Sequence, residues 1–350
     1  MMSAASISRS RLLANHRHLK ECGGGRPTIC VVKADAYGHG ALEVAACLAP
    51  VSEWLATAQV HEAVELRRNG ISNPILVFAP PLEREARLYK EYRITAVVSD
   101  VAHLGILKPG TEFHLHVDTG MRRTGILPES MVAFQTALDR RPDLDFTGLM
   151  THFATAEHPD TTLFATQLAR FDPFVERFGQ GRLVHAANSG TILMRSDAWF
   201  DATRPGIALY GIDPAPTQRP ELHPALTWES FLIQVKPIRK GETVSYGATW
   251  AAPDDGFYGV VPVGYRDGLM RSLSGRISLG LPDRYVPQVG TITMDACMVW
   301  LGSRIEKAGT PVVIYDPDAI QIRKWAAALG SISYELLCAI GDRVERRYTD

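Results

Sequence analysis

The feature that most constrains this chain is the repeated order of its segments. Over the first 210 residues a short apolar run, a loop and an amphipathic stretch recur. The apolar runs fall at residues 28–32, 54–58, 74–78, 95–99, 112–117, 146–151, 182–186 and 201–204, with amphipathic stretches such as 61–68, 129–139 and 161–178 between them. Strands alternating with helices imply parallel βαβ units. Eight such units imply an α/β chain with a closed (β/α)8 TIM barrel. The run at 201–204 is the weakest. With only seven strands, a doubly wound open sheet competes.

After Tyr210 the pattern changes. Prolines 214, 216, 220 and 224 mark a linker over residues 211–224. Beyond it, short β-rich runs dominate: 231–235, 243–246, 257–263, 276–279, 286–289, 296–301 and 311–315. Only 322–328 and 334–340 read as helical. The expectation is a barrel over 13–220, followed by a smaller C-terminal mainly-β domain over 221–350. Residues 1–12 form a candidate strand joining that second domain.

With 350 residues there is ample chain for a large core. The net charge of −1 argues against nucleic acid or an anionic membrane surface as partner. No apolar run approaches the length that spans a bilayer, and the N-terminal residues lack the apolar core of a secretory signal. Cys22, Cys30, Cys47, Cys297 and Cys338 are scattered, with no C-x-x-C pair, which reads as reduced thiols in the cytoplasm. No metal-ligating set is singled out.

Barrel enzymes gather their chemistry at the C-terminal ends of the strands. Here those positions carry Lys33, then His114 and His116 followed by Asp118 to Arg123, then His152, Asn188-Ser189-Gly190 and Arg204-Pro205-Gly206. Lys33 ends the run Ile29-Cys30-Val31-Val32. Burial there lowers an amine pKa and frees a nucleophile, although a lysine snorkelling from a strand end fits the same pattern. Asn188-Ser189-Gly190 suits a phosphate, or a plain helix cap. Arg204 fits a turn equally well when taken alone.

Taken together, longer motifs are more specific. Val31-Val32-Lys33-Ala34-Asp35-Ala36-Tyr37-Gly38-His39-Gly40 resembles the cofactor-attachment signature of the alanine racemase family. Further similar segments follow in family order at 118–125, 150–154, 187–189, 204–211, 244–247, 263–268, 293–295 and 334–338. The resemblance covers nearly the whole chain and implies a barrel followed by a β domain.

It also implies roles. Lys33 would carry pyridoxal 5'-phosphate as a Schiff base and act as one base, with Tyr246 the other base on the opposite cofactor face. Arg204 would face the pyridine nitrogen, with His152 holding Arg204 and tuning Tyr246. Asn188 falls in a cofactor-binding segment, and Tyr37, Ser189, Gly206, Ile207 and Tyr334 match phosphate-holding positions. Arg123, Tyr265, Met294 and Asp295 match positions near the substrate. The implied activity is interconversion of L- and D-alanine, which serves D-alanine biosynthesis or catabolism. The implied assembly is a homodimer in which the β domain of one chain completes the site of the other.

One position departs from the family pattern. Many members have a carbamate-bearing lysine where this chain has His116, and Arg122 adds a charge. Either neutral His116, or a small anion such as chloride, then supports Arg123, or the position tolerates several residues with little effect. Three alternatives remain open: a serine or broad-specificity racemase, a barrel decarboxylase using a cysteine–aspartate pair, and a non-catalytic protein that binds pyridoxal phosphate. Tyr246 in Ser245-Tyr246-Gly247 argues against the last.

Overall fold

The computed structural model describes residues 2–215, 219–316, 318 and 320–350. Residues 216–218, part of the expected linker, lie outside the described residues. The chain divides into two compact units. One comprises Leu12–Ala36 and Ala41–Leu222; the other comprises Met1–Arg11, Tyr37–Gly40 and His223–Asp350.

The first unit is a closed barrel of parallel strands. Ile29–Val31, Trp54–Thr57 and Ile75–Val77 pair in order, as do Ala96–Val98, Glu112–His116, Asp145–Met150, Leu183–Ala187 and Ala202–Thr203. Single parallel bridges join the two sets, Leu76 to Thr95 on one side and Thr28 to Thr203 on the other. The circle is complete, so the open-sheet alternative fails. The weakest run does hold a strand, only two residues long. It closes the barrel because Thr203 N–H donates to the Pro27 carbonyl at 2.9 Å and Val31 N–H to the Pro205 carbonyl at 3.0 Å.

The strands form from apolar runs because barrel strands bury both faces. All of Ile29–Val31, Ile75–Val77 and Ala96–Val98 is buried. Helices cover the outside. Thr162–Phe178 turns Phe171, Phe174 and Phe178 inward, and Phe178 meets Phe134 edge-on at 5.6 Å between centroids. Burying each such ring contributes about 1.5–3 kcal/mol.

The second unit is mainly β. Among the described residues, one sheet runs in the order Gln234–Ile238, Gly256–Val261, Cys297–Gly302, Arg284–Val289, Ser278–Leu281, Pro311–Tyr315, Leu226–Phe231, Ala4–Ser8 and Glu345–Thr349. The N-terminal strand lies antiparallel to Leu226–Phe231 and parallel to Glu345–Thr349. Helices Ile320–Leu329 and Ser333–Cys338 complete the unit. Residues 37–40 belong to it because of close backbone packing. A Cβ at Gly38 would collide with the Leu337 carbonyl, and one at Gly40 with the Tyr348 hydroxyl. Tyr348 donates to the His39 carbonyl at 3.0 Å. Among the described residues, no helix is long and apolar enough to cross a membrane.

Candidate active site

Lys33 follows the first barrel strand directly. The four residues after it, Ala34, Asp35, Ala36 and Tyr37, all have φ between 52° and 54°. They form a left-handed turn made without glycine. Each such residue costs roughly 1–2 kcal/mol. Local bonds hold the turn in place. The Glu62 carboxylate accepts the Ala34 N–H at 2.7 Å, and Asp35 accepts the Ala41 N–H at 2.7 Å. Glu62 also accepts the Ala58 and Gln59 N–H groups at 2.8 and 2.9 Å. The Lys33 Nζ lies 5.8 Å from the centre of the Phe78 ring, and the side chain is half-buried.

Arg204 is buried at the end of the eighth strand. Its NH1 donates to His185 Nδ1 at 2.8 Å. Its NH2 donates to the Thr151 and Ala186 carbonyls at 2.8 and 2.9 Å, and reaches His152 Nδ1 at 3.4 Å. All these acceptors are neutral. Burial pulls the guanidinium down to about 9, yet it stays charged near neutral pH. Behind it, His185 Nε2 and His114 Nδ1 are 2.8 Å apart. Gly148 makes room for this row, since a Cβ there would meet the His114 ring at 2.5–2.6 Å.

The histidines share one electrostatic setting. Burial, then Arg204, holds His114 at about 3 and keeps His185 well below the usual imidazole range. His116 is also held at about 3, by burial, then Arg204, with Asp118 opposing. His152 is pushed well down by burial, then by Arg204, Arg123, His116 and Lys33. The barrel therefore brings Lys33, His116, Arg123, His152 and Arg204 into one field. The His116 Nδ1 lies 3.3 Å from the Thr124 hydroxyl, while its buried Nε2 has no hydrogen-bond partner among the described residues.

Ser189 accepts from the Gly206 and Ala208 N–H groups at 2.9 and 3.3 Å, which brings 189 and 206–207 together. Asn188 caps the helix Ser189–Met194 by accepting the Thr191 N–H at 3.0 Å. The plain-cap alternative thus accounts for Asn188.

The remaining predicted residues lie in the β unit. Tyr246 is 74% exposed, Tyr265 43% and Met294 51%. Tyr246 sits between Ser245 at φ 70° and Gly247 at φ 75°. Thr291 anchors this bend: its carbonyl accepts from Ser245 Oγ at 2.6 Å, and its hydroxyl donates to the Tyr246 carbonyl at 2.9 Å. Asp295 pairs with Arg343 at 2.7 Å. Tyr37 is buried, its ring 6.0 Å from that of Tyr334, and burial, then Tyr334, pushes its phenol up.

Several residues at the site escaped the sequence reading. Gln167 is buried on a covering helix. Its amide donates to the His152 carbonyl at 2.9 Å, and its oxygen accepts the Ala154 N–H at 2.9 Å. Glu62 and Arg343 also serve backbone or carboxylate groups distant in sequence. His185 alone had a usable signal, as a polar residue inside the apolar run 182–186.

Comparison with known proteins gives a consistent picture. The family model "Alanine racemase, N-terminal domain" matches residues 7–214, and "Alanine racemase, C-terminal domain" matches residues 225–348. An alanine racemase of Chlorobaculum tepidum is 37% identical, covering 99% of this chain and 95% of the relative. One from Geobacillus kaustophilus is 39% identical over 92% of this chain and 88% of the relative. The crystal structure of alanine racemase from Bacillus anthracis with bound L-Ala-P superimposes with a TM-score of 0.92 at 30% identity, covering 100% of this chain and 95% of that one.

Proposed function

The chain belongs to the alanine racemase family, and from that premise we propose that it interconverts L- and D-alanine with pyridoxal 5'-phosphate held on Lys33. The observation that carries this reading is the buried Arg204 guanidinium, bonded to neutral acceptors and sharing a field with Lys33, Arg123 and neutral His152. Such a donor-rich, cationic set fits an anionic aromatic ligand carrying a phosphate. Ser189, Gly206 and Ile207 fit its phosphate end, with Tyr37 and Tyr334 proposed as further phosphate contacts and Asn188 as support for that segment.

Bound pyridoxal phosphate supplies an electron sink for the pair left on the substrate α-carbon when its proton departs. The protein residues do the rest. One base removes the α-proton from one face, and the conjugate acid of the other delivers a proton to the opposite face. We assign these roles to Lys33 and Tyr246. After one turnover the two groups have exchanged protonation states, so the reverse direction uses the same pair with roles swapped. Arg204 stays protonated and so favours a neutral acceptor opposite it, limiting electron withdrawal. His152 steadies Arg204 and tunes Tyr246. Arg123 and the Met294 backbone receive the substrate carboxylate, with Tyr265 and Asp295 beside them.

The second base sits in the β unit, on an exposed bend. We therefore propose that a second copy of the chain supplies Tyr246, Tyr265, Met294 and Asp295 to each barrel, as a homodimer. The cytoplasm is the proposed location, consistent with thiols such as Cys30 and Cys297, which burial pushes up to about 12.

The test is exchange of the alanine α-proton in deuterated water with cofactor absorbance followed in parallel. Both alanine enantiomers should exchange and interconvert, and Lys33→Ala should abolish both signals. No exchange with any common amino acid would overturn the assignment. Exchange fastest with serine would retain the chemistry and move the substrate.

A further inference from the structure

The loops carrying Tyr265, Met294 and Asp295 are laced together through their backbones. Tyr265 N–H donates to the Thr293 carbonyl at 3.0 Å, and Arg266 N–H to the Met294 carbonyl at 3.1 Å. Gly264 packs so tightly that a Cβ there would collide with both of those carbonyl groups. Arg343 braces this seam. Its Nε and NH2 hold the Asp267 carboxylate in a two-pronged pair, each bond 3.0 Å, while NH1 reaches Asp295 at 2.7 Å. Asp267 in turn accepts the Gly264 N–H at 2.9 Å, and its carbonyl accepts the Gly341 N–H at 2.9 Å. One guanidinium thus ties three chain segments.

Its two ion pairs differ in kind. The Asp267 side chain is 8% exposed, that of Asp295 66%. The two-pronged, enclosed pair suits a structural anchor. An exposed pair adds little stability, so the contact with Asp295 matters for where it puts charge. It holds a carboxylate beside Met294 and offsets it. An amino-acid substrate brings its own carboxylate, and an unopposed aspartate in a closed site would repel it.

We propose that Arg343 is a positioning residue for substrate binding: it fixes Asp295 and offsets its charge, so that the Tyr265–Met294 strip accepts the carboxylate of an amino acid. This rests on the reading above that the strip meets the substrate.

Steady-state kinetics on the cofactor-loaded dimer test it. Arg343→Gln should raise the alanine KM on the order of tenfold with a smaller change in kcat, and Arg343→Lys should recover most of that loss. The double variant Arg343→Gln/Asp295→Asn should return KM toward the parent value, because no unopposed carboxylate remains. A purely structural Arg343 predicts no such rescue, and that result overturns the proposal. If loss of the Asp267 anchor prevents folding, Asp295→Asn alone decides. It leaves the anchor intact and the Arg343 charge unopposed beside the strip, so the alanine KM should fall; an unchanged or raised KM overturns the idea. Arg123→Gln and Tyr265→Ala separate the two readings. If neither moves KM, the substrate assignment itself fails. If both move it while Arg343→Gln does not, only the present inference fails.

Discussion

Arg204 donates from NH1 to Nδ1 of His185 across 2.8 Å, and that bond fixes the state of a buried row of imidazoles. With Nδ1 accepting, the His185 proton must sit on Nε2, where it points to His114 Nδ1 at 2.8 Å. Both rings are neutral as a result. A guanidinium therefore ends a chain of neutral acceptors, and its charge is not neutralised by them.

The same arrangement predicts a pH dependence. His114 and His116 are each held at about 3 in the folded chain, by burial and then Arg204. In the unfolded chain both titrate near about 6.5. The unfolded state therefore binds more protons between these limits. Stability contributed by neutral burial is complete above about 6.5 and is lost as pH falls toward 3, each such group adding a slope of up to about 1.4 kcal/mol per pH unit. Thermal unfolding followed from pH 8 to pH 5 should show the midpoint falling below about pH 6.5, above the range where ordinary carboxylates titrate. A flat midpoint across that window would mean the histidines are solvated or charged.

The left-handed turn makes a second prediction. At an ordinary exposed site Ala→Gly destabilises by about 0.5–1 kcal/mol. Ala34 is exposed with φ 54°, where an alanine costs about 1–2 kcal/mol. Ala34→Gly should therefore stabilise by about 0.5–1 kcal/mol, keeping its N–H for Glu62. Ala34→Val, β-branched in the same conformation, should lower the midpoint. Calorimetry on the two variants checks the sign of each effect.

That turn also marks the limit of what the sequence revealed. The barrel was legible because strands buried on both faces leave continuous apolar runs, as in Ile29–Val31 and Ala96–Val98. The two-residue strand Ala202–Thr203 was faint because neighbouring strands, not its own side chains, fix it. Lys33 and Arg204 were legible as strand-end residues. Nothing in Ala34-Asp35-Ala36 announces left-handed backbone, which is imposed by Glu62 and Asp35 bonds on one side and by the tight packing at Gly38 on the other. Gln167, Glu62 and Arg343 stayed hidden for a related reason. Each acts by bonding to groups far away in sequence, and a polar residue on a helix or strand looks the same whether it meets water or a distant carbonyl.

His116 makes a third prediction. Its Nε2 is buried without a partner among the described residues, and its ring is neutral in a field that includes Arg123. An imidazole forms no stable carbamate, so activity should be unchanged after carbon dioxide is depleted. His116→Lys should gain a dependence on bicarbonate. Loss of activity in the unaltered enzyme that bicarbonate restores would defeat the view that neutral His116 supports Arg123.

The shared-site reading makes the strictest prediction. Tyr246 is 74% exposed on a bend that Thr291 holds, whereas Lys33 belongs to the barrel unit. If each site draws Lys33 from one chain and Tyr246 from another, Lys33→Ala and Tyr246→Phe homodimers are both defective for different reasons. Exchanging their subunits makes mixed dimers. Each mixed dimer has one site with both substitutions and one site with neither. At equal amounts and full exchange, about half the dimers are mixed, so activity should rise to about a quarter of the parent enzyme. If both residues came from the same chain, every site in every dimer would keep one defect, and mixing would restore nothing. Alanine racemisation before and after exchange therefore separates the two arrangements without depending on the size of either single defect.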